Sequence, residues 1–131
     1  MSRALISVYE KEGVDHLARG LVELGFELVV LAGYMHILTE PFLRRFPERI
    51  VNVHPSLLPA FPGAHAIRDA VAAGADPTGV TVHYVDRGLD TGQVLAQERV
   101  ALEPKSTLEE RIHAVEHRLL PRVVRELCPA P

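Results

Sequence analysis

The sequence predicts one α/β domain built on a mostly parallel sheet with helices on its faces, a three-layer arrangement. Three observations predict it. Apolar strand-like runs and helical stripes follow one another in the order β-α-β-α-β-α-β-β-α. The run Phe26–Ala32 is apolar on both faces apart from Glu27, the pattern of a strand buried between helices. Finally, 131 residues, of which 47% are hydrophobic and 24% charged, suit one soluble globular domain able to bury a real core.

Each element has its own signal. Ala4–Val8 reads as a short buried strand. Gly13–Leu24 reads as a helix with Val14, Leu17, Ala18, Leu21 and Val22 on one stripe, ended by Gly25. Thr39-Glu40-Pro41 opens a short helix reaching about Arg45, since proline suits a first turn. Ile50–His54 is the third strand, and Ala64–Ala73 a helix ending near Gly74. Val80–Asp86 and Gln93–Val100 read as strands joined by a loop around Leu89–Gly92, which makes the last pair partly antiparallel. Ser106-Thr107-Leu108-Glu109 is a capping box that opens the longest helix. The inner stripe of that helix is Leu108, Ile112, Val115, Leu119 and Val123. No repeat, low-complexity segment or linker interrupts residues 1–131, which read as a single domain.

Composition excludes several functions. The net charge is −3 without a basic run, so no nucleic-acid surface is expected. No apolar stretch reaches membrane-spanning length, and the N-terminus meets charge at Glu10–Glu12, too soon for a secretory segment. The lone Cys128 excludes an internal disulfide and a cysteine-rich metal site. A cytoplasmic protein is the simplest expectation.

The polar chemistry gathers at strand ends. Asn52 and His54 are two residues apart on an apolar strand, so both side chains project from one face. Pro55 holds His54 extended and ends the strand. Ligands of such sheets sit beyond the carboxyl ends of strands, where Asn52, His54 and Gly33-Tyr34-Met35 all fall. One strand later come His83 and Asp86-Arg87-Gly88-Leu89-Asp90-Thr91-Gly92, with Asp90 in a glycine-flanked turn. Asn, His and Asp together suit acyl transfer without a covalent intermediate: Asn52 and His54 donate to an oxyanion, and Asp90 orients His54 and shuttles protons. No serine or cysteine lies in a nucleophile-elbow context. Each residue also has a plainer reading. Asn52 and His54 could be a satisfied strand-end pair, Asp90 a turn acid, His83 a core histidine, Met35 core, and Glu116 and Arg44-Arg45 solvated helix residues. His113 and His117 have a zinc-compatible spacing, but no third ligand is evident, so no metal is expected.

These motifs carry a family resemblance. Gly33-Tyr34-Met35 through Leu38, Asn52-Val53-His54-Pro55-Ser56-Leu57-Leu58-Pro59, Gly79–Val85 and Leu89-Asp90-Thr91-Gly92 resemble the folate-dependent formyltransferases. Thr107–Pro121, with Glu116-His117, resembles more narrowly the phosphoribosylglycinamide (GAR) formyltransferases of purine synthesis. The similarity runs from about Val29 to Leu127. It implies a Rossmann-like fold and formyl transfer from 10-formyltetrahydrofolate, as co-substrate, to the amino group of GAR. It implies catalytic roles for Asn52, His54 and Asp90. Met35, His36, Leu38, Val85 and Leu89 would bind folate, and Pro55 and Glu116 the acceptor. His36 stands where the family usually has arginine.

The resemblance is uneven at the start of the chain. The family's Gly-Ser-Asn phosphate loop has no counterpart in Ser7–Gly13, so the fold is expected to be N-terminally truncated, with residues 1–28 an atypical βα unit. Residues 3–28 resemble instead the beginning of the bifunctional AICAR formyltransferase/IMP cyclohydrolase, through Ala4–Val8 and Gly20–Gly25. Three further readings stay open beside formyl transfer. They are a non-catalytic folate-binding or interaction module, hydrolysis of formyltetrahydrofolate with water as acceptor, and a cyclohydrolase resting on residues 3–28 alone. A sheet lacking its flanking strands beside Phe26–Ala32 would expose an apolar edge, so a homo-oligomer is expected.

Overall fold

The computed structural model describes residues 4–7, 28–32, 43–44, 46, 49–88 and 90–127. Strands β1 (Ala4–Ser7), β2 (Leu28–Ala32), β3 (Ile50–His54), β4 (Thr78–Tyr84) and β5 (Val94–Val100) form one sheet in that spatial order. β1 pairs parallel with β2 and β2 parallel with β3, whereas β4 is antiparallel to both neighbours. Thus β1, β2, β3 and β5 run one way and β4 runs against them. The expected helix over 13–24 lies outside the described residues, as does most of the one over 39–45, of which residues 43 and 44 are helical.

Register divides the sheet into two unlike faces. On one, Leu28, Val30, Val51, Val53, Val80 and Val82 form an apolar floor. Helix α1 (Ala66–Ala73) brings Ile67 and Val71 to it, and helix α2 (Leu108–Leu127) brings Leu108, Ile112, Leu119 and Val123. Each fully buried Leu, Ile or Val contributes roughly 1.5–3 kcal/mol. The predicted stripe of α2 is the buried one, with Val115 partly buried at its margin. On the opposite face Val29, Leu31 and Ile50 are buried, so that face is covered too. It then turns polar: Asn52 pairs across the ladder with His83, His54 with Thr81, and Thr81 with Gln97.

Three expectations are corrected. The fourth strand is Thr78–Tyr84 rather than Val80–Asp86. Thr78 and Gly79 are recruited by pairing with Val100 and Arg99, and Asp86 is drawn into a turn. The capping box does not form. Ser106 lies within a 3₁₀ turn, Lys105–Thr107, that precedes α2. Arg111 ties this corner together, donating to the carbonyls of Ala101, Leu102 and Pro104 and to Thr107 Oγ1. Lastly, the edge expected at Phe26–Ala32 is not open along β2, because β1 pairs with it from Ala4↔Leu28 to Ser7↔Leu31. Helix α1 ends as expected, at Gly74 in the left-handed conformation (φ 65°).

Candidate active site

Asn52 and His54 emerge on the polar face at the end of β3, with only 5% and 3% of their surface exposed. The turn after β4 leaves the sheet beside Val51, yet its Asp90 reaches His54, so it folds back over the polar face. Local chemistry shapes this turn. Asp86 Oδ1 accepts hydrogen bonds from Gly88 N (2.9 Å) and Thr91 Oγ1 (2.6 Å), an Asx-type turn. Gly92 is required where the chain returns, because a Cβ there would lie 1.6 Å from Tyr84 O. Asp90 itself is left-handed (φ 56°), a conformation that aspartate tolerates better than most residues.

The Asp90 carboxylate sits between two imidazoles. His54 Nδ1 is 3.5 Å from Oδ2 and His83 Nε2 is 3.6 Å from Oδ1, and all three side chains are at most 6% exposed. Both contacts are longer than an ordinary hydrogen bond. The direct bond to Asp90 comes from Gly63 N, 2.9 Å from Oδ2. The far nitrogens are fixed by carbonyls, His54 Nε2 on Phe61 O (2.8 Å) and His83 Nδ1 on Tyr84 O (2.9 Å). A carbonyl only accepts, so each of those nitrogens carries hydrogen. Burial alone would raise the Asp90 pKa. The His83 imidazole, the Gly63 N–H and the charge of His54 outweigh it and hold the carboxyl below the usual carboxylate range. Two polar atoms here are buried and lack a hydrogen-bond partner among the described residues, Asn52 Oδ1 and His83 Nε2. Such an atom costs about 1–3 kcal/mol unless something meets it, which suits a site built for a ligand.

Two clefts flank this cluster. One, of about 330 Å³, has Leu58, Pro59, Pro62, Thr91, Gly92 and Val94 around Asp90. The other, of about 440 Å³, lies between the end of β3, α1 and α2, with Pro55, Arg68, His113 and Glu116 on its walls. Glu116 is half-buried there, and burial raises its pKa, with His113 and His117 offsetting only part. The expected folate residues are less well placed for description. Met35, His36, Leu38 and Leu89 lie outside the described residues. Val85 is half-buried just past β4, its N–H bonded to Ile50 O (2.8 Å), and lines neither cleft. Among the described residues no three His, Cys, Asp or Glu side chains are grouped to hold a metal.

The sequence reading missed four residues that shape the site. Asp86 builds the turn of Asp90, and its Asp-Arg-Gly spacing was the available signal. Ser56, Thr81 and Gln97 form a polar cluster under the loop after β3, visible only once Thr81 is paired with Gln97.

A two-histidine cradle for a carboxylate beside a buried amide, at the carboxyl end of an α/β sheet, can steady an oxyanion and move a proton. Residues 8–124 match the formyl transferase family, and the chain belongs to that family. Its relatives carry a narrower name. A phosphoribosylglycinamide formyltransferase from Mycobacterium tuberculosis (strain ATCC 25618 / H37Rv) is 52% identical over 139 aligned residues, covering 97% of this chain and 65% of the relative. One from Bacillus subtilis (strain 168) is 46% identical over 104 residues, covering 77% and 53%. The crystal structure of glycinamide ribonucleotide transformylase 1 from Geobacillus kaustophilus superposes with a TM-score of 0.83 at 48% identity, covering 92% of this chain and 66% of that one. The chain therefore spans between about half and two thirds of these relatives' length. The family match begins at residue 8, within the segment 3–28 expected to resemble a cyclohydrolase, and that second resemblance is not supported.

Proposed function

We propose that this chain serves formyl transfer from 10-formyltetrahydrofolate to the amine of glycinamide ribonucleotide, a step of purine synthesis. The observation that carries the reading is Asp90 held within 3.5 Å of His54 Nδ1, on the same polar face as the buried Asn52 side chain. The relatives' names support the formyl transfer and its acceptor. In this mechanism the acceptor amine attacks the formyl carbon and a new C–N bond forms. The Asn52 amide and the Nδ1–H that His54 gains as an imidazolium stabilise the resulting oxyanion. The bond from that carbon to folate N10 then breaks, and the proton lost by the amine reaches N10 through Asp90 and water. Donor contacts fall to Met35, His36, Leu38, Val85 and Leu89. The 440 Å³ cleft takes the acceptor, with Pro55 on its wall and Glu116 accepting from hydroxyls. The chain acts as a single cytoplasmic domain that self-associates.

The test is a steady-state assay of the purified chain with both substrates. His54→Ala and Asp90→Asn should each lower kcat/KM by about 10²-fold or more while circular dichroism keeps the wild-type fold. Full activity in both variants would sink the assignment. Calorimetry with the folate alone reads the alternative, donor binding without turnover.

A further inference from the structure

Beneath the loop after β3 lies a hydroxyl with every bonding capacity used. Thr81 is fully buried on the polar face of β4. Its Oγ1 donates to Ser56 O (2.7 Å) and accepts from Leu58 N (3.1 Å) and from Gln97 Nε2 (2.9 Å). A hydroxyl offers one donor and two acceptor sites, so Thr81 is saturated. Gln97, reaching from β5, also donates to Leu58 O (2.8 Å). Ser56, itself fully buried, turns its Oγ onto Ala60 O (2.5 Å) and more weakly onto Phe61 O (3.4 Å). Together these bonds tie the sheet, through Thr81, to residues 56–61.

The end of that run is a strained carbonyl. Phe61 has φ 52°, a left-handed conformation that a residue with a large side chain rarely adopts. Strain of this kind persists where the surroundings over-determine it. The Phe61 carbonyl is the acceptor for His54 Nε2–H at 2.8 Å, the bond that sets which His54 nitrogen is left for Asp90.

We propose that Thr81 is a positioning residue for the reaction: its hydroxyl locks loop 56–61 so that the Phe61 carbonyl pins hydrogen on His54 Nε2 and leaves Nδ1 to the reacting centre. The Thr81 hydroxyl bonds neither His54 nor Asp90; it acts through Ser56, Leu58 and Phe61. The activity arm rests on the proposed formyl transfer, and the tautomer arm does not.

The test compares Thr81→Val, which removes the hydroxyl, with Thr81→Ser, which keeps it. Nitrogen-15 NMR of the His54 ring across its titration reads the tautomer. The wild type and Thr81→Ser should show neutral His54 with hydrogen on Nε2. Thr81→Val should show a mixture of tautomers, with kcat down about tenfold or more and the donor KM little changed, since small misplacements act on the chemical step. An unaltered tautomer and kcat in Thr81→Val would overturn the proposal, as would an equal loss in Thr81→Ser, which would point to packing alone. Should Thr81→Val not fold, Gln97→Met at an exposed position removes two of the bonds. It should shift the tautomer in the same direction, and an unchanged spectrum there also overturns the proposal. If the wild type transfers no formyl group, the proposed function fails and the spectra alone decide the clamp.

Discussion

Asp90 and Glu116 face opposite electrostatic fates, and the signs separate them in experiment. Burial works against ionised Asp90, yet His83, Gly63 N–H and His54 lower its pKa below the ordinary value. The unfolded chain therefore takes up this proton first as pH falls. The stabilisation is fully present above the unfolded value of about 3.9 and is lost as pH drops through the depressed folded value. The stability difference between wild type and Asp90→Asn, measured by chemical denaturation, should hold steady at neutral pH and shrink in the acid range. Parallel curves down to acid unfolding would refute this. For Glu116 burial raises the pKa. Here the folded chain holds the proton more tightly, so stability falls as pH rises from about 4.3 through the raised value. At pH 7 Glu116→Gln should melt above the wild type. If Glu116 accepts from the acceptor's hydroxyls, the same change should raise the acceptor KM about tenfold, the loss of one charge-assisted bond of ~1.5 kcal/mol. A lower melting temperature would show that its charge contributes to the fold rather than to binding.

The loop after β3 can approach β4 closely only because position 79 has no side chain. A Cβ on Gly79 would lie 2.5 Å from Leu57 Cδ2 and 2.3 Å from Glu98 O on β5. The second contact is backbone and cannot swing away, so Gly79→Ala must part β4 from β5 or lift Leu57. Overpacking of this sort costs about 1–3 kcal/mol. We expect a lower denaturation midpoint together with a loss of transfer activity larger than instability explains, since Leu57 adjoins the clamp at Ser56 and Leu58. Unchanged stability would mean the sheet absorbs the methyl group. Gly79 also marks how far the sequence could be read. The pair Asn52 and His54 was legible because two-residue periodicity alone fixes their common face. The inner stripe of α2 was legible because helical periodicity fixes it likewise. Thr81 opposite Gln97 was not, because cross-strand register has no signature within one strand. The capping box failed because residues 105–107 wind into a 3₁₀ turn ahead of the helix, with Thr107 N and Thr107 Oγ1 both donating to Pro104 O. The return of Asp90 over the sheet depends on Asp86 and on Gly92 packing under Tyr84 O, which a turn motif shows only as a turn.

Across the whole sheet the two edges are unlike, and the difference bears on assembly. β5 presents Gln97, Glu98 and Arg99, and Glu98 is engaged by Arg118 of α2. Charges along an edge discourage pairing with another chain. At the other end β1 consists of Ala4, Leu5, Ile6 and Ser7, with no charge. Among the described residues no strand lies beyond it. Every β1 residue pairs toward β2 in parallel register, so its outward N–H and C=O groups are the natural place for a second chain to add. The expected self-association thus shifts from the edge of β2, which β1 covers, to the edge of β1. Light scattering should show an apparent mass that rises toward the dimer in the micromolar range, and hydrogen exchange at Ala4–Ser7 should slow with concentration in step. A fixed monomer mass with concentration-independent exchange would refute the prediction and place the covering of β1 within the chain itself.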